Sequence, residues 1–599
     1  MTSIRARSRA LHSKPKSFGD ESSRLQRYIS ALQVSPGCGS ADLMLTPTPT
    51  RNTRLPFRRG GFRSLCEALD YAAQGETGLN FFDARGRMIG RLLYADLRIR
   101  AQRFARRLIG AGVACGERLV IVADTWPGFC VAFFGAQYAG VLPVPVAVPV
   151  GLGAKQSYIR QLRRQILAAG ATAVVAPDDL AEFAVTAAEG TWARFAGPMS
   201  LFEAMPEAAG ELRPFGAGDR CYVQYSSGST RAPLGVDIRQ DQLMANIDGS
   251  IARQQLDADD SGVSWLPFYH DMGLIGFVLA PMCAQRSVDL LAPRDFARRP
   301  MQWLSLISRR RATVTYSPTF GYDLVARRAR QQLPEGIDLS CLKLAGIGAD
   351  MIQPAVLRRF ADTFAICGFD SRAFMPSYGM AEVCVGLSFG HRFTGFRTDL
   401  RDGREFVSCG QAMDGHRLQI RGDSGFPLGE GSIGRIFAEG PSVMPGYFLK
   451  TEETAQVLKD GWLDTGDLGY WRDGELVVTG RAKDLIIVNG RNIWPQDIEW
   501  AVEGLLRLRR GDACAFSVAA EEREEVVVLV QGEPADAADR DELVARVHQV
   551  VRESAAVDCR VVLIARRPGL PLTSSGKLSR VRARADYLAG LGAGLADGQ

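Results

Sequence analysis

A loop rich in hydroxyl groups follows a short apolar run in the first half of the chain. The run covers residues 221–225, and the loop supplies four hydroxyls and one glycine in five positions: Ser226, Ser227, Gly228, Ser229 and Thr230. Backbone N–H and side-chain O–H donors with little steric bulk suit a bound polyphosphate. No Gly-Lys-Ser/Thr follows, so this is not a Walker A loop. Taken alone, the segment is equally compatible with an ordinary Ser/Gly turn.

Five later segments place charged groups beside glycines and aromatic residues. They are Trp-Leu-Pro-Phe-Tyr-His-Asp-Met-Gly at 265–273, Pro-Ser-Tyr-Gly-Met-Ala-Glu at 376–382, Gly-Trp-Leu-Asp-Thr-Gly-Asp at 461–467, Gly-Arg-Ala-Lys-Asp at 480–484 and Pro-Leu-Thr-Ser-Ser-Gly-Lys at 571–577. Together they offer acids, a histidine, an arginine and a lysine that follows a flexible turn. Such a set can position anionic reactants and screen their charges.

In this order and spacing, the segments resemble the motifs of the adenylate-forming enzymes: acyl-CoA synthetases, nonribosomal peptide adenylation domains and luciferases. The resemblance covers about residues 62–585. Within that superfamily the residue sequence of the motifs is most similar to that of the fatty acyl-AMP ligases. Three stretches carry this similarity, namely Ser-Thr-Arg-Ala-Pro at 229–233, Trp-Leu-Pro-Phe-Tyr-His-Asp-Met-Gly-Leu-Ile-Gly at 265–276 and Asn-Gly-Arg-Asn-Ile-Trp-Pro-Gln-Asp-Ile-Glu at 489–499.

The resemblance implies a ligase that works in two steps. A fatty carboxylate attacks the α-phosphorus of ATP, which leaves a fatty acyl-adenylate and releases pyrophosphate. The acyl group then passes to the phosphopantetheine thiol of a holo-acyl carrier protein. Because no carrier domain follows Lys577 in this sequence, we expect the carrier to act in trans. Such enzymes typically feed polyketide or lipopeptide assembly in bacteria.

The resemblance also implies a set of nucleotide-binding residues. The loop at 226–230 would hold the β- and γ-phosphates, Tyr378 would stack on adenine, and a wall of small residues would lie opposite. Asp467 would accept hydrogen bonds from the ribose hydroxyls, and Arg481 would help to hold ribose or phosphate. The full ATP/AMP-binding set is Ser226, Ser227, Gly228, Ser229, Thr230, Gly348, Ala349, Ser377, Tyr378, Gly379, Met380, Asp467 and Arg481.

The catalytic residues implied by the resemblance are Lys577, Thr230, Glu382 and His270. Lys577 would bridge the carboxylate and the α-phosphate, a task that suits a mobile point charge better than the fixed fork of arginine. Glu382 would bind Mg²⁺, which prefers hard oxygen ligands and bridges phosphates. ATP and Mg²⁺ are therefore the expected nucleotide and metal.

Some of these residues have a second interpretation. His270 would lie at the acyl carboxylate or pocket mouth, but a lone histidine near aromatics is also a common packed core residue. Met272, Leu274 and Ile275 could line the acyl pocket or belong to the core. Lys483 falls at the hinge between the large and small domains of the superfamily, where the small domain swings after adenylation; otherwise it is an exposed surface lysine.

One region departs from the acyl-AMP ligases. Residues 390–406 usually hold a longer insertion in that subgroup, which is thought to limit domain rotation and to disfavour CoA. Here a short link at 390–397 replaces it. A fatty acyl-CoA synthetase with the same first half-reaction is therefore the main alternative. A non-catalytic nucleotide- or acyl-binding protein that kept the fold is a more remote one.

The elements that must position these residues alternate between strands and helices. Apolar runs at 119–122, 173–176, 263–266, 313–316 and 342–345 predict strands, and 90–110, 128–139 and 155–169 predict helices. This alternation predicts an α/β fold with parallel sheets covered by helices. Beyond about residue 405, short strands at 434–438 and 475–479 alternate with Gly/Asp turns and predict a β-rich lobe.

We expect three parts along the chain. Residues 1–55 form a basic tail that is low in apolar content and should be disordered, although the composition of residues 1–19 also resembles that of an organellar presequence. Residues 56–482 form the large N-terminal domain, with two parallel-sheet subdomains and the β-rich lobe. Residues 483–599 form a small, mobile α+β domain with a flexible tail, including strands at 485–488, 525–530 and 560–564 and a helix at 495–505.

Bulk composition narrows the function classes. The 599 residues carry a net charge of +6, which permits anionic ligands but does not argue for nucleic acid. Twelve cysteines are scattered without C-x-x-C pairs, which favours a reduced cytoplasm over a disulfide framework or zinc site. The most apolar stretch, 140–154, is too short and proline-rich for an integral membrane segment.

Overall fold

The structure is a computed structural model. It describes residues 55–149, 155–225, 234–330, 336–488, 491–506, 508–509, 511–520, 523–566, 569–573 and 577–590. The expected basic tail, apart from Leu55, and the predicted phosphate loop at 226–230 lie outside these described residues. Within the described ranges, no helix combines the length and apolar character needed to cross a membrane.

The described strands alternate with helices over the first half of the chain. The strands are β1 (Gly78–Phe82), β2 (Met88–Leu93), β3 (Arg118–Val122), β4 (Leu142–Val146), β5 (Ala173–Ala176), β6 (Phe195–Pro198), β7 (Arg220–Tyr225), β8 (Gly235–Arg239), β9 (Gly262–Ser264), β10 (Val288–Leu291), β11 (Val314–Ser317), β12 (Leu344–Ile347), β13 (Phe374–Tyr378), β14 (Ser388–Phe389), β15 (Thr398–Arg401), β16 (Arg404–Val407), β17 (Gln411–Ala412), β18 (Arg417–Arg421), β19 (Gly434–Glu439), β20 (Leu458–Lys459), β21 (Trp462–Arg472), β22 (Glu475–Arg481), β23 (Ile486–Val488), β24 (Arg491–Ile493), β25 (Ala513–Ala520), β26 (Arg523–Gln531) and β27 (Cys559–Ile564).

The α-helices cover the faces of the sheets. They are α1 (Leu65–Ala72), α2 (Tyr94–Gly110), α3 (Pro127–Ala139), α4 (Lys155–Ala169), α5 (Ala181–Ala188), α6 (Met199–Glu203), α7 (Gln240–Arg253), α8 (Asp271–Leu274), α9 (Ala280–Cys283), α10 (Pro293–Arg298), α11 (Met301–Arg310), α12 (Thr319–Ala329), α13 (Pro354–Phe364), α14 (Thr451–Val457), α15 (Pro495–Leu505), α16 (Ala537–Ala555) and α17 (Arg580–Leu588).

A nine-stranded sheet forms the centre of the large domain, in the order β17-β14-β13-β12-β11-β9-β10-β1-β2. The pairs from β13 through β12, β11, β9 and β10 to β1 are all parallel. Their residues are almost entirely buried, as expected for strands covered on both faces. The carboxyl ends of these strands meet at one edge, where ligands bind in open α/β sheets.

A second parallel sheet has the order β4-β3-β5-β6 and its own apolar core with helices α4 and α5. Between the two sheets, β7 and β8 form an antiparallel pair. The two predicted parallel-sheet subdomains are thus confirmed. The expected β-rich lobe is the antiparallel sheet β18-β19-β21-β20, with β22 added on β21.

The C-terminal segment builds a three-stranded sheet, β25-β26-β27, against α15, α16 and α17. Two clusters of buried residues within this segment are separate from the large core, and one of them contains Ile498, Val528 and Val551. This arrangement agrees with the α+β character predicted for the C-terminal part.

Two predicted elements need correction. Residues 90–110 were expected to form one helix, but the helix begins at Tyr94, and Met88–Leu93 is a strand. Gly90 pairs with Phe81 in the β1–β2 hairpin, so backbone hydrogen bonding to the sheet edge overrides the helical pattern. Strand β9 ends at Ser264, two residues earlier than predicted, because the chain turns through Pro267 towards the motif around His270.

Candidate active site

A cleft of about 400 Å³ lies at the carboxyl edge of the nine-stranded sheet. Residues from the sheet, from the β-rich lobe and from the C-terminal segment all line it. The predicted site residues among the lining are His270, Met272, Ile275, Ala349, Ser377, Tyr378, Gly379, Met380, Glu382, Asp467, Arg481, Lys483 and Lys577. Segments separated by up to three hundred residues therefore meet in one cavity.

Tyr378, Asp467 and Arg481 form a connected polar group at the mouth of the cleft. Tyr378 ends β13, and Asp467 and Arg481 are opposite each other in the β21–β22 pair. The Tyr378 hydroxyl donates to Oδ2 of Asp467 at 2.8 Å, and Nε of Arg481 lies 3.5 Å from Oδ1. Burial raises the pKa of Asp467, and the positive charge of Arg481 opposes that shift.

Glu382 lies on a short 3₁₀ turn, Ala381–Val383, directly after β13. The Tyr447 hydroxyl donates to its Oε1 at 2.9 Å. Burial raises the pKa of Glu382, opposed by this hydrogen bond and by the charge of Arg481. A nearby cation would stabilise the ionised carboxylate, which is the form that ligates a metal.

Small residues bring the backbone close to the cleft on the opposite side. At Gly379, an added Cβ would lie 1.8 Å from the carbonyl oxygen of Val385, so only glycine fits. Ala349 has a φ of 67°, in the left-handed region that favours glycine. Gly348 is not among the lining residues; it packs behind the wall, where a Cβ would meet Oγ of Ser377 at 2.9 Å.

His270 begins helix α8 and is paired with its neighbour. Its Nδ1 lies 2.6 Å from Oδ1 of Asp271, and both residues line the cleft. Burial raises the pKa of Asp271, but the charge and hydrogen bond of His270 bring that pKa below its ordinary value. The structure thus adds Asp271 to the site as the residue that orients the imidazole ring. Asp271 follows His270 directly in the sequence motif but was not among the predicted site residues.

Behind His270 the cleft becomes apolar. Met272, Ile275 and Phe277 line this part of the cleft, whereas Leu274 does not: its side chain is fully buried in the core. Helical geometry explains the correction, since residues two positions apart point to different sides. The rest of the apolar wall was not predicted; it consists of Ile247, Ile251, Leu256, Ala280, Ala284, Val288, Val314, Val385 and Phe389.

Lys577 enters the cleft from the C-terminal segment. Two hydrogen bonds link it to Thr573: Thr573 N donates to Lys577 O at 2.7 Å, and Lys577 N donates to Oγ1 of Thr573 at 3.1 Å. Its Nζ donates to the carbonyl oxygen of Ala349. Burial lowers the pKa of Lys577, while the carboxylate of Asp350 acts in the opposite direction.

The two ends of the predicted phosphate loop reach the same cleft. Tyr225 and Leu234, which flank residues 226–233, both line it. The loop residues Ser226, Ser227, Gly228, Ser229 and Thr230 lie outside the described residues, so their binding role stays a prediction. Lys483 lines the cleft from a 3₁₀ turn, Ala482–Asp484, directly after β22.

Sequence and structure comparisons agree with this architecture. Residues 81–448 match the model of the AMP-binding enzyme family. A protein of Caulobacter vibrioides named "Putative acyl-CoA synthetase" is 46% identical over 574 residues, 92% of this chain and 99% of its own length. The long-chain-fatty-acid–AMP ligase FadD32 of Mycolicibacterium smegmatis is 30% identical, over 79% of this chain and 85% of its own length.

A solved structure is also similar. It comes from a study of fatty acyl-adenylate ligases from E. coli and L. pneumophila, is 39% identical, superposes with a TM-score of 0.86, and matches 90% of this chain and 100% of its own. This chain therefore belongs to the AMP-binding enzyme family, with the adenylate-forming fold. Its similarity to the fatty acyl-AMP ligases, expected from the motifs, is confirmed.

Proposed function

We propose that the protein activates a fatty acid with ATP as the fatty acyl-adenylate, releases pyrophosphate, and passes the acyl group to a holo-acyl carrier protein acting in trans. One observation carries the first step. A single cleft joins the charged residues Asp467, Arg481 and Lys577 at its mouth to an apolar cavity behind His270. A cavity that is polar at one end and apolar at the other fits a nucleotide and a fatty acid that must react where the two regions meet.

In the reaction, a carboxylate oxygen of the fatty acid forms a bond to the α-phosphorus, and the bond between the α-phosphorus and the bridging oxygen to the β-phosphate breaks. Both reactants are anions, so the protein must position them and offset their repulsion. Lys577 would bridge the carboxylate and the α-phosphate, and Arg481 would stabilise the phosphate or ribose. Asp350, Asp271 and Asp467 favour the charged form of Lys577 that this role requires.

For the nucleotide, Tyr378 would stack on adenine against the small-residue wall around Ala349. Asp467 would accept from the ribose hydroxyls through Oδ1, since Oδ2 already accepts from Tyr378. His270, fixed by Asp271, would orient the fatty carboxylate where the cleft changes from polar to apolar.

Mg²⁺ is compatible with this site in the manner usual for nucleotide enzymes, with few protein ligands and several from phosphates. Among the described residues, no group of three or more His, Cys, Asp or Glu side chains could hold a metal by itself. Glu382 presents a buried carboxylate to the cleft, and Thr230 would lie in the neighbouring phosphate loop. The ion would neutralise charge on the phosphates; the residues proposed to hold it are Glu382 and the loop around Thr230.

We further propose that residues 56–482 and 483–599 are separate domains with Lys483 at the hinge. Side chains form hydrogen bonds to backbone carbonyl groups across this boundary. Gln496 Nε2 donates to the carbonyl oxygen of Thr479 at 3.1 Å, and Arg327 Nη1 donates to the carbonyl oxygen of Leu508 at 2.9 Å. Such contacts can break and reform as the small domain rotates.

The preference for a carrier protein rests on the short region that departs from the acyl-AMP ligase pattern. Strands β15 and β16 form a hairpin there, and Arg404 on β16 donates from Nη1 to Asp497 of the small domain at 2.8 Å. The guanidinium also lies 5.5 Å from the Trp500 ring. Burial raises the pKa of Asp497 to about 6, opposed by Arg404. This half-buried ion pair links the hairpin to the small domain, so it would restrain the rotation that brings CoA into place.

A product assay tests this function. Purified protein would be incubated with ATP, Mg²⁺ and fatty acids from C8 to C18, with no acceptor, with CoA, or with a holo-carrier protein. We expect pyrophosphate release and acyl-AMP without an acceptor, acyl-carrier product with the carrier, and little acyl-CoA. No pyrophosphate release with any acid would contradict the first step and favour a non-catalytic binding protein.

A fatty acyl-CoA synthetase is the second candidate, and the name of the similar Caulobacter protein favours it. Rapid acyl-CoA formation in the same assay would establish this alternative. Asp497→Asn sharpens the decision, because it removes the negative charge that pairs with Arg404. If the pair restrains rotation, Asp497→Asn should raise CoA transfer more than it changes pyrophosphate release.

A further inference from the structure

The acyl cavity extends along the strands to the opposite edge of the nine-stranded sheet. Gly262, Val288 and Val314 are the first residues of β9, β10 and β11, and all three line the cleft. The nucleotide residues lie at the carboxyl ends of neighbouring strands. A ligand that fills the cleft would therefore run the length of a strand, about 13 Å for four residues.

The far end of this cavity, which we call the distal end, is polar. Its lining includes Gln254, Asp260, Ser261 and Arg286, which precede β9 and β10 or follow α7. Arg286 is only 3% exposed and Asp260 only 2%. Buried charged residues in the wall of an apolar cavity are unusual, because burial of an ion is costly unless it is paired.

Asp260 is fully paired. Its carboxylate accepts from Nη2 of the buried Arg392 at 3.1 and 3.2 Å and from the Thr313 hydroxyl at 2.7 Å. It also accepts from the backbone N of Asp257 at 3.0 Å. Asp260 therefore needs no further hydrogen-bond partner at the distal end.

Arg286 has a hydrogen-bond donor that is not used within the described part of the chain. Its Nε donates to the carbonyl oxygen of Ala284 at 3.1 Å and its Nη1 to that of Ala258, while Nη2 is buried with no partner in the described part of the chain. The Phe57 ring lies 5.3 Å from the guanidinium and helps to hold it in place. A buried donor without a partner costs free energy that an incoming acceptor would recover.

We propose that Arg286 is a specificity residue that recognises a neutral oxygen, such as a hydroxyl group, at the distal end of the acyl chain. This inference rests on the proposed function and names its substrate class: fatty acids oxygenated at or next to the ω-carbon. Nη2 has almost no surface open to the cleft, so a turn of the guanidinium would present it, and the oxygen would then accept a hydrogen bond from Nη2.

Local charge favours a neutral group over a second carboxylate. Among the described residues, the cations named at the distal end are Arg286, Arg392 and Lys343, and Lys343 Nζ lies 3.8 Å from Asp260. The carboxylates of Asp257, Asp259 and Asp260 act on Arg286 from the same region. Three carboxylates thus offset three cations, and an additional buried anion would give the distal end a net negative charge.

The test compares matched substrates with the full-length wild-type protein. Pyrophosphate release is measured for each plain fatty acid from C8 to C16, for its ω-hydroxy counterpart and for the α,ω-diacid of the same length. We expect the ω-hydroxy acid that best fits the cavity to exceed its plain counterpart about tenfold or more in kcat/KM, since a hydrogen bond to a charged donor replaces an unsatisfied one.

Two variants test whether Arg286 causes the preference for ω-hydroxy acids. Arg286→Met should abolish the preference for the ω-hydroxy acid, whereas Arg310→Met should retain it, because Arg310 pairs with Asp289 and does not line the cleft.

A plain acid that is used as well as its ω-hydroxy counterpart at every length overturns the inference, and this comparison needs no variant. A preference for the diacid overturns the choice of a neutral group. Preference retained in a folded Arg286→Met protein overturns the role of Arg286. If plain acids are activated without any preference, the proposed function stands and only the inference fails; if no acid releases pyrophosphate, both fail.

Discussion

The two ends of the cleft are built in different ways. At the nucleotide end, the polar residues come from short contiguous motifs, such as the one around Tyr378 at the end of β13 or the one around Asp467 within β21. At the acyl end, the wall is made of single apolar residues from at least six helices and strands. Chemistry fixes the residue types at the first end, whereas only volume and apolar character are required at the second.

This difference determines what the sequence can predict. The segments around His270, Glu382, Arg481 and Lys577 were found as contiguous motifs, and the cleft brings all four together. Residues such as Ile251 and Val314 give no local signal, because an apolar residue in a helix or strand is usually core. Leu274 shows that the opposite error also occurs, since this residue was predicted to line the pocket but is buried in the core.

The fold shows a similar contrast. The parallel strands and helix α4 (Lys155–Ala169) follow from periodicity alone, and the predicted and observed bounds of α4 coincide. The β1–β2 hairpin and the contact between Arg404 and Asp497 could not be predicted, because they depend on pairing between segments rather than on local pattern. The same reason kept Arg286 out of the predicted site.

The largest expected effect is at the nucleotide end. Lys577→Ala should lower the rate of adenylation about a hundredfold or more, because it removes a positioned charge next to two anions. Fatty-acid-dependent exchange of pyrophosphate into ATP measures this step. Lys459→Ala removes an exposed lysine from β20 and serves as the control. An activity loss of less than about threefold in Lys577→Ala would remove this residue from the mechanism.

The next effect tests the acyl end by volume. A Cβ added at Gly276 meets no atom within 4 Å, and Gly276 lines the cleft. Gly276→Leu should therefore block the cavity and lower kcat/KM for C16 acids about tenfold or more, while C8 acids change little. Gly504→Leu, at an open exposed position in α15, is the matched control. Equal losses at all chain lengths would mean that the apolar cavity does not hold the chain.

The dependence of kcat/KM on pH tests the charge of Lys577 at the nucleotide end. In the proposed mechanism Lys577 acts in its protonated form. Its pKa is lowered by burial, so its charge is lost as the pH rises through that lowered pKa. We expect kcat/KM, which reports the free enzyme, to fall at lower pH than an ordinary lysine would allow. Lys577→Arg should be slower but should move this alkaline limb upwards. An unchanged limb in Lys577→Arg would assign the titration to another group.

The smallest expected effect concerns the hydrogen bond between Tyr378 and Asp467. Tyr378→Phe keeps the ring for stacking but removes the donor at 2.8 Å. The KM for ATP should change by about fivefold or less, since one hydrogen bond contributes about 1 kcal/mol. Tyr71→Phe, which removes a hydrogen bond to Pro56 far from the site, provides the comparison. A change as large as that of Lys577→Ala would show that Tyr378 does more than stack.

In the proposed function, one molecule of acyl-adenylate fills both ends of the cleft. A crystal structure with a non-hydrolysable acyl-sulfamoyl-adenosine measures this most directly. We expect adenosine between Tyr378 and the wall around Ala349, ribose at Asp467, and an alkyl chain that passes Gly276 towards Arg286. An alkyl chain that leaves the cleft for solvent, or adenosine bound elsewhere, would contradict it.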